Sequence, residues 1–178
     1  MELEHRDNFG SFINAQNLTG YGVELGVAKG RFSCKLLEQS KLKILFSIDR
    51  WSDHHDDAEY REAAKRLSKY EERSVIIRLT FDEALMLFRD ETFDFIYIDG
   101  YAHTGQCGGK TLHDWWPKLK TGGIFAGHDY TEHVTRSGLD YSETIASVDK
   151  FIAENGLELQ LTQEEQGAGY PSWFTKKP

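Results

Sequence analysis

Proline is scarce in this chain, 3 in 178 residues, and cysteine scarcer still, with 2. So few prolines leave long stretches free to form regular structure, and no Pro/Ser-rich linker interrupts them. Cys34 and Cys107 lie far apart with no CxxC spacing, which excludes a disulfide framework and reads as two reduced thiols. Nowhere do the roughly 18 consecutive apolar residues of a membrane-spanning helix occur. The segment Met1-Glu-Leu-Glu-His-Arg-Asp7 has neither the basic nor the apolar region of a secretory leader. A cytoplasmic protein without a membrane partner is therefore expected. Basic residues are outnumbered, 21 against 29 acidic, for a net charge of -8 at pH 7. That surplus repels a phosphate backbone and makes nucleic acid a disfavoured partner. No internal repeat or low-complexity tract divides the chain, so residues 1–178 are read as one domain.

Hydrophobic residues make up 39% of the chain and aromatics 13%, enough for a substantial core. Five short apolar runs read as buried strands: Tyr21 to Leu25, Lys43 to Asp49, Ser74 to Thr80, Phe93 to Asp99 and Gly123 to His128. Between them lie helical patterns, the clearest being Tyr60, Ala63, Ala64 and Leu67, then Leu112, Trp115, Trp116 and Leu119. Pro117 is expected to end the second of these early. Strands alternating with helices predict right-handed crossovers and a doubly wound, Rossmann-like α/β domain. Beyond them, a helix carrying Ile145, Val148 and Ile152 stops at Asn155-Gly156. Leu157, Leu159 and Leu161 then alternate with polar residues, and after the turn-like Gln166 to Gly169 comes Ser172-Trp-Phe-Thr175. These last two strands predict an antiparallel hairpin, making a seven-stranded, mostly parallel sheet.

Ligands of such sheets bind at the carboxyl ends of the strands, so the residues closing each strand are the candidates. The first tip, Glu24-Leu-Gly26-Val27-Ala-Lys-Gly30, joins a strand to a helix and lets a ligand lie against backbone at the helix start. Its glycines can equally serve helix–strand packing. Asp49, about 20 residues further on, can accept hydrogen bonds from both hydroxyls of a ribose, or cap the next loop. Beside it lie Arg50 and Trp51, which is able to stack on a base or to cover core. Thr80 and Asp82 at the third tip can reach an adenine or cap the helix that follows.

These residues resemble a known family. Glu24-Leu-Gly26-x-x-x-Gly30 is similar to the E/D-x-G-x-x-x-G loop of class I S-adenosylmethionine-dependent methyltransferases, and Asp49 matches that family's ribose acid. Phe93-Asp-Phe-Ile-Tyr-Ile-Asp-Gly100, Trp115-Trp-Pro-Lys-Leu-Lys-Thr-Gly-Gly123, Ala126-Gly-His-Asp-Tyr130 and Ser172-Trp-Phe-Thr-Lys176 resemble the group called methyltransferase family 24. The resemblance runs from about Tyr21 to Lys177 and is carried by the combination rather than by any one motif. It implies S-adenosyl-L-methionine as cofactor, bound by Glu24, Gly26, Val27, Gly30, Asp49, Arg50, Trp51, Thr80, Asp82 and Asp99. The chain departs from that group at Asp99-Gly-Tyr101-Ala102-His103, where the group commonly carries an acid before the histidine.

Methyl transfer from a sulfonium to an oxygen needs alignment of the reactants and a means of weakening the hydroxyl proton. Asp99 and the pair His128-Asp129 close neighbouring strands. Two carboxylates and an imidazole can hold Mg2+ or another divalent cation that lowers the pKa of a substrate hydroxyl. Related metal-dependent O-methyltransferases of the catechol type, by resemblance, have acids at similar places. A metal-free arrangement instead makes His128 or His103 the general base, oriented by Asp99 or Asp129. The run Asp53-His-His-Asp-Asp57 reads mainly as a solvated loop with a helix cap. The acceptor pocket is expected from Met1 to Thr19, Tyr101 to Lys110 and Tyr130 to Glu143. Its short loops suit a small molecule, with Lys110, His133, Arg136, Tyr101, Tyr130 and Tyr141 as candidate contacts. An acid-rich surface and a hairpin edge permit a homodimer. Two other functions fit parts of the pattern: an NAD-dependent oxidoreductase, and a protein that binds S-adenosylmethionine without transferring its methyl group.

Overall fold

The computed structural model describes residues 3–52, 55–100, 106–132, 143–163 and 170–178. Its strands are β1 (Tyr21–Leu25), β2 (Ile44–Asp49), β3 (Ser74–Arg78), β4 (Phe93–Ile98), β5 (Leu119–Gly127), β6 (Gln160–Leu161) and β7 (Trp173–Lys176). The helices are α1 (Phe9–Ala15), α2 (Arg31–Gln39), α3 (Asp57–Leu67), α4 (Phe81–Leu85), α5 (Gln106–Trp115) and α6 (Thr144–Glu154). One seven-stranded sheet has the order β3-β2-β1-β4-β5-β7-β6, parallel except at β7, which pairs antiparallel with both β5 and β6. This is the doubly wound α/β sheet with a C-terminal antiparallel pair that the periodicity predicts.

Burial on both faces explains why the strands read as near-continuous apolar runs. Val23, Leu25, Ile96, Ile98 and Phe125 face α5 and α6 through Leu112, Trp115, Val148 and Phe151. Leu45, Phe95, Tyr97 and Ile124 face α1 and α2 through Phe9, Ile13, Leu36 and Leu37. Pro117 does end α5 early, inside a 3-10 turn over Trp116–Lys118. Asn155 closes α6, and Gly156 follows at φ +61°, where a side chain would be strained. Asp56 caps α3 by accepting from the Ala58 and Glu59 amides, which accounts for its part of the Asp53 to Asp57 run. Asp53 and His54 lie outside the described residues, as does the turn at Gln166 to Gly169. Cys34 and Cys107 are free thiols. Among the described residues, no helix is long and apolar enough to cross a membrane.

The structure corrects several boundaries. Strand β5 begins at Leu119 rather than Gly123, because Leu119 pairs with Phe93 before a register shift brings Ile124 opposite Phe95. Strand β3 stops at Arg78, because Thr80 is taken up as the cap of α4. Only Gln160 and Leu161 join the ladder as β6, while Leu157 and Leu159 pack against the core ahead of it.

The N-terminal segment forms α1 and closes one face of the sheet. Phe9 is fully buried, its ring 5.4–5.7 Å from those of Phe95, Tyr97 and Phe174. Phe9→Ala should therefore destabilise the fold by about 3–5 kcal/mol, read as a lowered denaturation midpoint; an unchanged midpoint refutes this anchoring role.

Candidate active site

Strand order reverses between β1 and β4, and the register there lines up the tips. Leu25 pairs with both Ile48 and Ile98, and Ile98 pairs with Gly127. The next residues, Gly26, Asp49, Asp99 and His128, thus form one row at the carboxyl edge. Backbone bonds extend the ladder into that row: Gly26 N–H to Ile48 O at 2.9 Å, Asp99 N–H to Leu25 O at 2.7 Å, and His128 N–H to Ile98 O at 2.9 Å. Gly26 sits at φ +92°, and a Cβ there would lie 2.0 Å from the Asp99 carbonyl oxygen. Only glycine permits so close an approach.

Asp49 is buried and both its oxygens are engaged. Oδ2 accepts from the Val27 and Ala28 amides at 2.9 Å each, and Oδ1 from the Trp51 amide at 3.1 Å. The carboxylate thus ties the β1–α2 loop to the end of β2 while remaining at the tip. Trp51, 1% exposed, donates its indole N–H to the Ala28 carbonyl at 2.8 Å and packs with Val27 and Ala63. Of its two readings the structure has the core-covering one. Arg50 lies beside it at the surface, its guanidinium bonded to Ser52. Gly30, at φ +70°, starts α2 with Ala63 and Leu67 3.3 Å from where a Cβ would sit, so it serves helix packing.

Thr80 forms a capping box with Glu83, their side chains bonded reciprocally to the amides at 2.9 and 3.2 Å. Asp82 is exposed and pairs with Lys110 at 3.1 Å. Thr80 thus follows the capping alternative, while Asp82 makes a surface ion pair instead.

Glu24 is buried beneath the loop and accepts a hydrogen bond from Ser33, whose own Oγ accepts from Ser47 at 3.0 Å. Burial pushes its carboxyl up to about 8, with Asp99 and Asp49 adding repulsion against the pull of Ser33 and Arg6.

At the fourth and fifth tips, Asp99, His128 and Asp129 each offer a ligand atom within 4.8 Å of the others. His128 Nε2 lies 3.3 Å from Asp129 Oδ1, and Nδ1 lies 3.2 Å from Ser172 Oγ. Burial, then the Asp99 charge, pushes Asp129 up to about 7. One imidazole, two carboxylates and this spacing fit the donor set of a small divalent cation.

Two contributors were not legible in the sequence. Arg6 reaches Asp99, Nη2 to Oδ2 at 2.6 Å, with its guanidinium 4.4 Å from the Phe32 ring. Ser172 lies across from His128 because Gly127 pairs with Trp173, and it also bonds Tyr97 Oη at 2.9 Å. When Nδ1–H donates to Ser172, the Nε2 lone pair is left for the acidic pair; the reverse direction puts a proton on Nε2. No local pattern marks Arg6, and the motif Ser172–Lys176 assigns Ser172 no role, since each contact is made across the whole fold. His103, Tyr101, His133, Arg136 and Tyr141 lie outside the described residues. Tyr130 is held by Asp149 at 2.7 Å.

A family model described as a methyltransferase domain matches residues 23–130. The chain belongs to this methyltransferase family. It is an S-adenosylmethionine-dependent methyltransferase of class I, and Gly26, Asp49, Asp99 and His128 all fall within the matched span. A search of curated proteins returns no match. Solved structures share the fold. A candidate caffeoyl-CoA O-methyltransferase from Staphylococcus aureus is 18% identical with TM-score 0.73, over 97% of this chain and 82% of that one. An O-methyltransferase from Bacillus cereus in complex with SAH is 13% identical with TM-score 0.70, over 97% and 80%. An rRNA methylase from Streptococcus thermophilus is 13% identical with TM-score 0.67, over 99% of both.

The methyltransferase carries a pH signature in Glu24. Its carboxyl rises from 4.5 when exposed to about 8 in the fold, so the folded state binds the proton more tightly. That stability is full below pH 4.5 and is lost as pH rises through 8. Denaturation free energy should fall by on the order of 1 kcal/mol per pH unit across this window. In Glu24→Gln the slope should shrink without vanishing, because Asp129 slopes the same way. Identical slopes in the two proteins refute the shift.

Proposed function

We propose that the methyltransferase transfers the methyl group of S-adenosylmethionine to a hydroxyl oxygen of a small molecule, with Asp99, His128 and Asp129 holding a divalent cation. The observation that carries this reading is the convergence of those three ligand atoms within 4.8 Å beside the β1–α2 loop. Such a cation, when bound, lowers the pKa of a coordinated hydroxyl and fixes its place. The chain's own residues do the rest. Gly26, Val27 and Gly30 lie in the loop that takes the cofactor, with Glu24 buried beneath it and Asp49 tying it to the end of β2 by accepting from two of its amides. Transfer breaks the S–CH3 bond and forms the O–CH3 bond, and the hydroxyl proton is lost to solvent water, since His128 and Asp129 would be engaged as ligands.

An oxygen acceptor is favoured because a hydroxyl needs help losing its proton, which this cluster can supply. A small molecule is favoured over RNA by the net charge of -8. The O-methyltransferases among the structural relatives support the same acceptor chemistry.

Calorimetric titration should give saturable one-to-one binding of S-adenosylmethionine and S-adenosylhomocysteine, no binding of NAD, and at least about a tenfold loss of affinity in Asp49→Ala. Methyl transfer to small hydroxylated acceptors should then depend on Mg2+ and stop in a chelator. Full activity in the chelator removes the cation from the proposal, and absence of cofactor binding overturns it entirely.

A further inference from the structure

Asp99, the acid at the fourth tip, is paired with a cation that the chain itself supplies. Arg6 Nη2 lies 2.6 Å from Asp99 Oδ2, and both side chains are largely buried, with 17% and 21% exposed. The guanidinium sits over the Phe32 ring at 4.4 Å and near the Tyr97 ring at 5.4 Å. Stacking of this kind holds the group far more firmly than a surface ion pair. Its placement follows from the fully buried Phe9 three residues later, and from the turn over Arg6–Asn8, which His5 caps by accepting from the Asp7 amide at 3.0 Å.

We propose that Arg6 is a built-in counter-cation that competes with a divalent ion for Asp99 and so sets how tightly the site binds metal. This rests on the reading of Asp99, His128 and Asp129 as a cation site. With Arg6 in place, the guanidinium offsets one of the two carboxylate charges and engages one of the two Asp99 oxygens. Like charges a few ångströms apart repel strongly in a partly buried site. A divalent ion entering the triad therefore either displaces the guanidinium from Oδ2 or binds against its charge, while the aromatic faces of Phe32 and Tyr97 keep a place for it alongside. Arginine suits this role because its planar group can leave a carboxylate and stay stacked on a ring.

The test is Mn2+ binding to the full-length protein, read by electron paramagnetic resonance of the free ion and independent of turnover. Arg6→Gln and Arg6→Met both remove the charge, and the methionine keeps apolar packing over Phe32. Each should bind Mn2+ about tenfold tighter than wild type, from loss of one repelling charge. Arg6→Lys, which keeps the charge, should stay near wild type. Near-ultraviolet circular dichroism verifies the fold of each variant. If the charge-removing variants bind equally or more weakly, while Asp99→Asn abolishes binding, the role of Arg6 is overturned and the cation site stands. If no form of the protein binds Mn2+, the cation site fails and the role of Arg6 fails with it.

Discussion

The arrangement at the carboxyl edge depends on the register of four parallel strands. Leu25, Ile48, Ile98 and Gly127 stand in one row, and three backbone bonds carry the ladder one residue further. That extra row delivers Gly26, Asp49, Asp99 and His128 side by side. A shift of one residue in any strand would turn its tip side chain to the other face of the sheet. The buried apolar faces hold the register, so the packing of Ile48, Ile98 and Phe125 is what aims the polar tips.

Bringing four acids to one edge is electrostatically costly, and the fold handles each differently. Asp49 is met by three backbone amides. Asp99 is met by the Arg6 guanidinium. At Glu24 and Asp129 burial outweighs the pull of Arg6, and their pKa values rise instead. Titratable groups perturbed by desolvation and by specific neighbours cluster at functional sites. Here they surround the reversal point of strand order, where sheets of this class bind ligands.

The two ends of the chain meet at this edge. Arg6 comes from the turn before α1, Ser172 from the approach to β7, and the buried Tyr97 touches both. Its ring lies near the guanidinium at 5.4 Å, and its hydroxyl bonds Ser172 at 2.9 Å. The antiparallel β7 thus does more than extend the sheet. It places a hydroxyl beside His128 Nδ1 at 3.2 Å.

What the sequence by itself determined is what depends on neighbours close along the chain. Short apolar runs specify the parallel strands, glycine at Gly26 permits the tight first tip, and Asn155-Gly156 stops α6, because dihedral preferences and periodicity are local. The acids and histidine closing the strands were legible for the same reason, since a strand's end can be read without its partners. Ambiguous residues were decided only by tertiary packing: Trp51 turned inward to bond the Ala28 carbonyl, and Thr80 went to the cap of α4. The tertiary structure alone decided the partners of the tips. Arg6 finds Asp99 across 93 residues and Ser172 finds His128 across 44. Contacts of such span exist only once strand order, register and helix docking have brought distant segments within reach of one another, and no spacing in the sequence encodes that reach.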